Sequence, residues 1–185
     1  MGNRVSALDG HYQPGLYGNG DEVCLIIELV RDLQLSQVVC WPDSIAKVSA
    51  MLTDMVQSDA PGPCWAIETT NGSILRTEPL KWWVIDAPVM QLTAEQGSSL
   101  DLSHSRTRIR LTGSEATTTL NRLLPLDLRE SSFPVGSVGS SAMHHVGVTL
   151  WRSTSGYELF VPRGFALACW EVLQETARQF RHEVI

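Results

Sequence analysis

The sequence predicts an α+β protein, and three observations carry that prediction. Segments rich in Val, Ile, Trp and Thr recur along the 185 residues, bounded by Gly, Pro, Asn and Ser, as strands are. Among them stand amphipathic segments whose apolar residues return at steps of three and four. The order strand, helix, strands is met once before residue 95 and again after residue 100, which points to an internal structural duplication.

Taken in order, the first 22 residues are glycine-rich, close on PGLYGNGDE, and are expected to form an irregular arm. A single domain over 23–185 follows, with pseudo-repeats at about 23–95 and 100–182. QVVCW (Gln37 to Trp41) has strand composition and stops at Pro42, whose nitrogen has no hydrogen to give a ladder. Asp43 or Ser44 then caps a helix reaching about Gln57, with Ile45, Val48, Leu52 and Met55 on one stripe. SDAPGPC is a turn or loop. CWAIET and SILRTE read as strands joined by Asn71-Gly72, a pair that favours tight hairpins. KWWVIDA (Lys81 to Ala87) is a further strand, and a polar stretch with Gly97, Ser98 and Ser99 separates the halves.

In the second half RTRIRL alternates: Thr107, Ile109 and Leu111 face one way and Arg106, Arg108 and Arg110 the other. GSEATTTLNRLLPLDL reads as a helix with Ala116, Leu120, Leu123 and Leu124 inward, weakened by three threonines and ended by Pro125. MHHVGVTLW and GYELFVP pair as a hairpin around RSTSG. GFALACWEVLQETARQFR is the strongest helix, with Ala166, Cys169, Trp170, Leu173, Ala177 and Phe180 on one face.

Composition bounds the function. Hydrophobic content of 43% and charged content of 18% are those of an ordinary globular protein. A net charge of −6 argues against a nucleic-acid partner, which needs a basic face to displace counterions. Six tryptophans with few charges point to apolar surface kept for a protein partner. The longest apolar stretch, VCLIIELV, is interrupted by Glu28 and far short of the roughly 20 residues a membrane span needs. The opening residues lack a secretory pattern, so a cytoplasmic location away from the membrane is expected. Gly2 and Ser6 match a myristoylation pattern too short to carry weight. Cys24, Cys40, Cys64 and Cys169 show no metal-like spacing and are expected to be reduced, Cys40 and Cys169 as small buried hydrophobes.

The blocks LDLSHSR, LLPLDL, FPVGSV, HHVGV, GYELFVPR and FALACWEVL, from about Leu100 to Phe180, resemble the gamma subunit of heterotetrameric sarcosine oxidase. VVCW and GSILRTEPLKWWVID extend that resemblance more loosely into the first half. More distantly, DLSH, RIRLTGSEA and LNRLLPLDL are similar to the opening of aminomethyltransferases, the T-protein of the glycine cleavage system. The resemblance implies a folate-binding-domain fold of two intertwined β-α-β repeats with mixed or antiparallel sheets. It implies a non-catalytic, assembly role against an alpha subunit, alongside beta and delta subunits, in oxidative demethylation of sarcosine to glycine. The one-carbon unit then passes to tetrahydrofolate and peroxide is produced. FAD, FMN, NAD, tetrahydrofolate and zinc would belong to those partner subunits, none to this chain. A subunit of a related enzyme such as N-methylglutamate dehydrogenase, or a stand-alone folate-dependent aminomethyltransferase, are the alternatives.

The residues supply no catalytic set of their own. His144 and His145, read inside a strand, would point to opposite faces and could not share one metal ion or proton. Aminomethyltransferases carry an acidic pair at the corresponding strand, so the resemblance does not transfer their catalytic residue. Asp101, Ser103 and His104 are neighbours before a strand, without the GxSxG elbow a serine triad would need. Gly18 in GNG lacks the third glycine of a dinucleotide loop. The arginine face has two readings, a solvated strand face or a docking surface for an acidic patch. Trp82 and Trp83 must face opposite sides of their strand, so one needs a covering helix or a partner. Candidates for partner contact are Arg106, Arg108, Arg110, His144, His145, Trp151 and Arg163. No catalytic, cofactor-binding or metal-ligating residue is predicted.

Overall fold

A computed structural model describes residues 5–185; Met1 to Arg4, with Gly2 and the start of the expected arm, lie outside the described residues. The chain runs β1 (Gly15–Tyr17), β2 (Leu25–Val30), β3 (Leu35–Cys40), α1 (Ile45–Val56), β4 (Ala66–Thr69), β5 (Gly72–Glu78) and β6 (Lys81–Ile85). It continues through β7 (Gly97–Asp101), β8 (Arg106–Thr112), α2 (Ala116–Asn121), β9 (Val138–Met143), β10 (Val146–Ser153), β11 (Gly156–Pro162), α3 (Ala166–Ala177) and β12 (His182–Val184). The strands form a seven-stranded sheet, β1-β12-β2-β8-β11-β10-β9, and a five-stranded sheet, β4-β5-β6-β3-β7. All pairings are antiparallel except β12 with β2. The halves are interwoven: β2 pairs with β8 in the larger sheet, and β7 pairs with β3 in the smaller.

Strand alternation sorts the apolar residues into three cores. Val38, Ile74, Trp82 and Val84 of the smaller sheet pack with Val48, Leu52 and Val56 of α1. Ile27, Ile109, Leu111, Leu150 and Leu159 of the larger sheet pack with Leu120 of α2 and Trp170 and Leu173 of α3. Between the two sheets lie Leu35, Leu75, Trp83 and Ile85 from one side and Val138, Trp151 and Phe160 from the other. The result is four layers: helix, sheet, sheet, helices. Trp83 meets Phe160 edge to face with ring centroids 5.5 Å apart. The expected split of the tryptophans is met, Trp82 under α1 and Trp83 against the second sheet.

Most predicted elements stand where the periodicity puts them. α1 ends at a left-handed Gln57 (φ 55°), whose N–H bonds the Thr53 carbonyl. The first hairpin turns on Thr70-Asn71, one residue earlier than expected, because Gly72 (φ 125°) already pairs with Thr69. The differences have physical reasons. The polar stretch at Gly97 is β7: Ser99 and Leu100 pair with β3, and at Gly97 a Cβ would come 2.0 Å from the Val39 oxygen, so only glycine permits the approach. α2 spans six residues, and Leu124 is buried from the turns beyond it. α3 stops before Phe180, which is half-buried outside the helix. The arm is not wholly irregular, since β1 pairs with β12 and Leu8 is buried in the larger core.

Candidate functional site

On β8 the side chains of Thr107, Ile109 and Leu111 turn away from the arginines, so Arg106, Arg108 and Arg110 share the face toward the smaller sheet. Cross-strand register then decides their partners. Glu158 of β11 stands opposite Arg110, and Glu28 of β2 stands opposite it on the other side. The Glu158 carboxylate, fully buried, accepts from Arg108 Nε at 2.7 Å, Arg110 Nε at 2.6 Å and Ser153 Oγ at 3.1 Å. Arg110 also donates to Glu28 Oε2 at 2.8 Å, and Arg108 Nη1 lies 3.6 Å from Asp86 Oδ2. The Arg108 guanidinium stands 5.8 Å from the ring centroids of both Trp151 and Phe160. Burial pulls the Arg110 pKa down, but the hydrogen bonds and charges of Glu158 and Glu28 outweigh it and hold it above the ordinary value.

This network corrects the reading of the arginine strand. Arg108 is 7% exposed and Trp151 1% exposed, so neither is a solvated surface group nor open to a partner. Arg110 is spent on two carboxylates of its own chain. The missing partners carried a faint signal: Glu28 in LIIELV and Glu158 in GYELFV each interrupt an apolar strand.

Arg106 is different. It is half-buried, its Nη1 donates to the Ser105 carbonyl at 3.1 Å, and its guanidinium lies 5.7 Å over the Trp83 ring. No carboxylate pairs with it among the described residues, and burial alone lowers its pKa. Together with Arg31, Asp32, His104 and Arg163 it lines a cavity of about 200 Å³ beside the β2–β3 turn. Arg163, exposed, donates from Nη2 to the Val5 carbonyl at 2.7 Å.

His144 and His145 do not lie inside a strand. They are the two turn residues between β9 and β10, flanked by the Met143–Val146 pair, and both are exposed. His144 takes a left-handed φ of 54°, a conformation uncommon for a residue with a Cβ. The turn breaks the strand alternation, so the two rings are not held on opposite faces of a strand as expected. Among the described residues no group of three or more His, Cys, Asp or Glu side chains is placed to hold a metal ion. Asp101, Ser103 and His104 form no relay: Asp101 Oδ1 accepts from the Ser103 N–H at 2.8 Å, while Ser103 Oγ donates to the Leu35 carbonyl and accepts from the Leu35 N–H. That serine ties the loop before β8 to β3. All four cysteines are free thiols, with Cys40 and Cys169 buried and pushed up in pKa by that burial.

No protein-family model matches the chain, and no curated protein matches it by sequence. Solved structures do. A chain of the heterotetrameric sarcosine oxidase from Corynebacterium sp. U-96, in complex with pyrrole 2-carboxylate, superposes with a TM-score of 0.72 at 19% identity, covering 88% of this chain and 88% of that one. The glycine cleavage system aminomethyltransferase T from Bartonella henselae superposes at 0.65 and 13% identity, covering 88% of this chain but 48% of that one. The chain thus spans about half the length of that transferase. The α+β folate-binding-domain fold expected from the sequence is the fold this chain has.

Proposed function

We propose that this chain is a non-catalytic gamma-type subunit of a heterotetrameric sarcosine oxidase, seated mainly against the alpha subunit in a cytoplasmic complex. One observation carries the reading: the superposition on a chain of that oxidase covers 88% of each chain at a TM-score of 0.72, against 48% of the aminomethyltransferase at 0.65. On this reading FAD, FMN, NAD, tetrahydrofolate and zinc are held by the alpha, beta and delta subunits. The cavity beside Arg106, about 200 Å³, is below the roughly 300–1,000 Å³ of sites for drug-sized ligands. Of the candidate contacts, His144, His145 and Arg163 remain exposed for a partner, and Arg106 is half-exposed.

Affinity capture of the tagged chain from its native cell, with partners identified by mass, tests the proposal. Flavin-containing companions and sarcosine-dependent peroxide formation by the captured complex are expected. Sarcosine oxidation or tight tetrahydrofolate binding by the isolated chain would overturn it. Activity of the complex on N-methylglutamate in place of sarcosine would move it to the related dehydrogenase.

A further inference from the structure

The chain carries a net charge of −6, yet the cavity beside the β2–β3 turn has the opposite balance. Its walls hold Arg31, Arg106, Arg108 and Arg163 against the single carboxylate of Asp32. Arg108 is neutralised by Glu158, but the other three pair with no carboxylate among the described residues. Arg31 lies over the Tyr12 ring at 5.4 Å, and Arg163 spends one nitrogen on the Val5 carbonyl, so each keeps donors to spare. Leu29 and Leu33, both buried, also line the cavity.

We infer that this cavity is a binding site for a small oxyanion of two negative charges, held by Arg31, Arg106 and Arg163. Forked guanidinium groups match the oxygens of phosphate or carboxylate in pairs. A cavity of about 200 Å³ has room for inorganic phosphate or a three-carbon dicarboxylate. Arg106 and Arg163 are also candidate contacts for a partner subunit, so the site is tested in the chain free of partners, where its failure leaves the subunit reading standing.

Calorimetric titration of the full chain with inorganic phosphate, and separately with malonate, tests it at ionic strength held constant with chloride. One saturable site is expected, and the arm that saturates at lower concentration distinguishes a phosphate source from a dicarboxylate one. Arg106→Gln should weaken it at least about tenfold, the factor carried by one lost charge-assisted hydrogen bond. Arg31→Gln and Arg163→Gln, both at exposed positions, should weaken it as well and decide the matter if the Arg106 variant fails to fold. Arg178→Gln at the end of α3 should leave it unchanged. Heats matching the chloride control in both arms, or binding that survives all three cavity substitutions, would overturn the inference.

Discussion

Replacing Glu158 by glutamine tests whether the buried network on the inner face of the larger sheet stabilises the fold. The side chain keeps its shape but loses the charge on which two guanidinium groups converge, at 2.7 and 2.6 Å. Each such bond contributes about 1.5–3 kcal/mol net, and the amide retains one acceptor oxygen while turning an NH2 donor toward a guanidinium. Arg108, 7% exposed, would be left with Asp86 at 3.6 Å, whose side chain is 60% exposed. Removing one partner of a buried pair typically costs about 3–5 kcal/mol, and that is the loss expected here. At ~2–4 °C per kcal/mol for a chain of this size, the Tm should fall by about 6–20 °C. Urea unfolding followed by tryptophan fluorescence supplies the free energy, with the midpoint falling at an unchanged slope. Glu28→Gln, at a side chain 33% exposed, should cost no more than about 1 kcal/mol. A Glu158→Gln variant within about 1 kcal/mol of the parent, or a Glu28→Gln variant equally damaged, would refute the assignment of Glu158 as the hub.

Phe160→Ala should destabilise by about 3–5 kcal/mol, read by the same urea titration, because the ring is fully buried between the sheets against Trp83; a loss below about 1 kcal/mol would mean that the sheets do not pack through it. At Asp127 the Arg129 guanidinium, then the Ser132 hydroxyl, hold the carboxyl well below its ordinary value. A lowered folded-state pKa stabilises the fold above the unfolded value, about 3.9, and that contribution is lost as pH falls through the folded one. Carbon-detected NMR should therefore find Asp127 titrating below about pH 3.9, and Arg129→Gln should return it toward that value.

Local chemistry made much of the fold legible in the sequence. The Val48 and Leu52 stripe of α1, the alternation of β8 and the apolar face of α3 each follow from a period a few residues long. β7 escaped notice because Gly, Ser and Ser have little strand propensity; it forms because β3 offers it a ladder and Gly97 allows close approach. The two histidines were misplaced for a related reason. The residues from Met143 to Val146 hold no glycine, asparagine or proline to mark a turn, and only the pairing of β9 with β10 puts one there.

By itself the sequence determined the α+β class, the helix faces and the division of Trp82 from Trp83. Tertiary structure alone decided what the arginine strand does. An alternating charged face has the same period whether it meets water, a partner subunit or a buried carboxylate. The groups that settle the matter, Glu158 and Glu28, lie 48 and 82 residues from Arg110 along the chain. Only strand register brings those charges together, burying Arg108, tying Arg110 to two carboxylates and leaving Arg106 at the edge of a cavity with no carboxylate partner among the described residues.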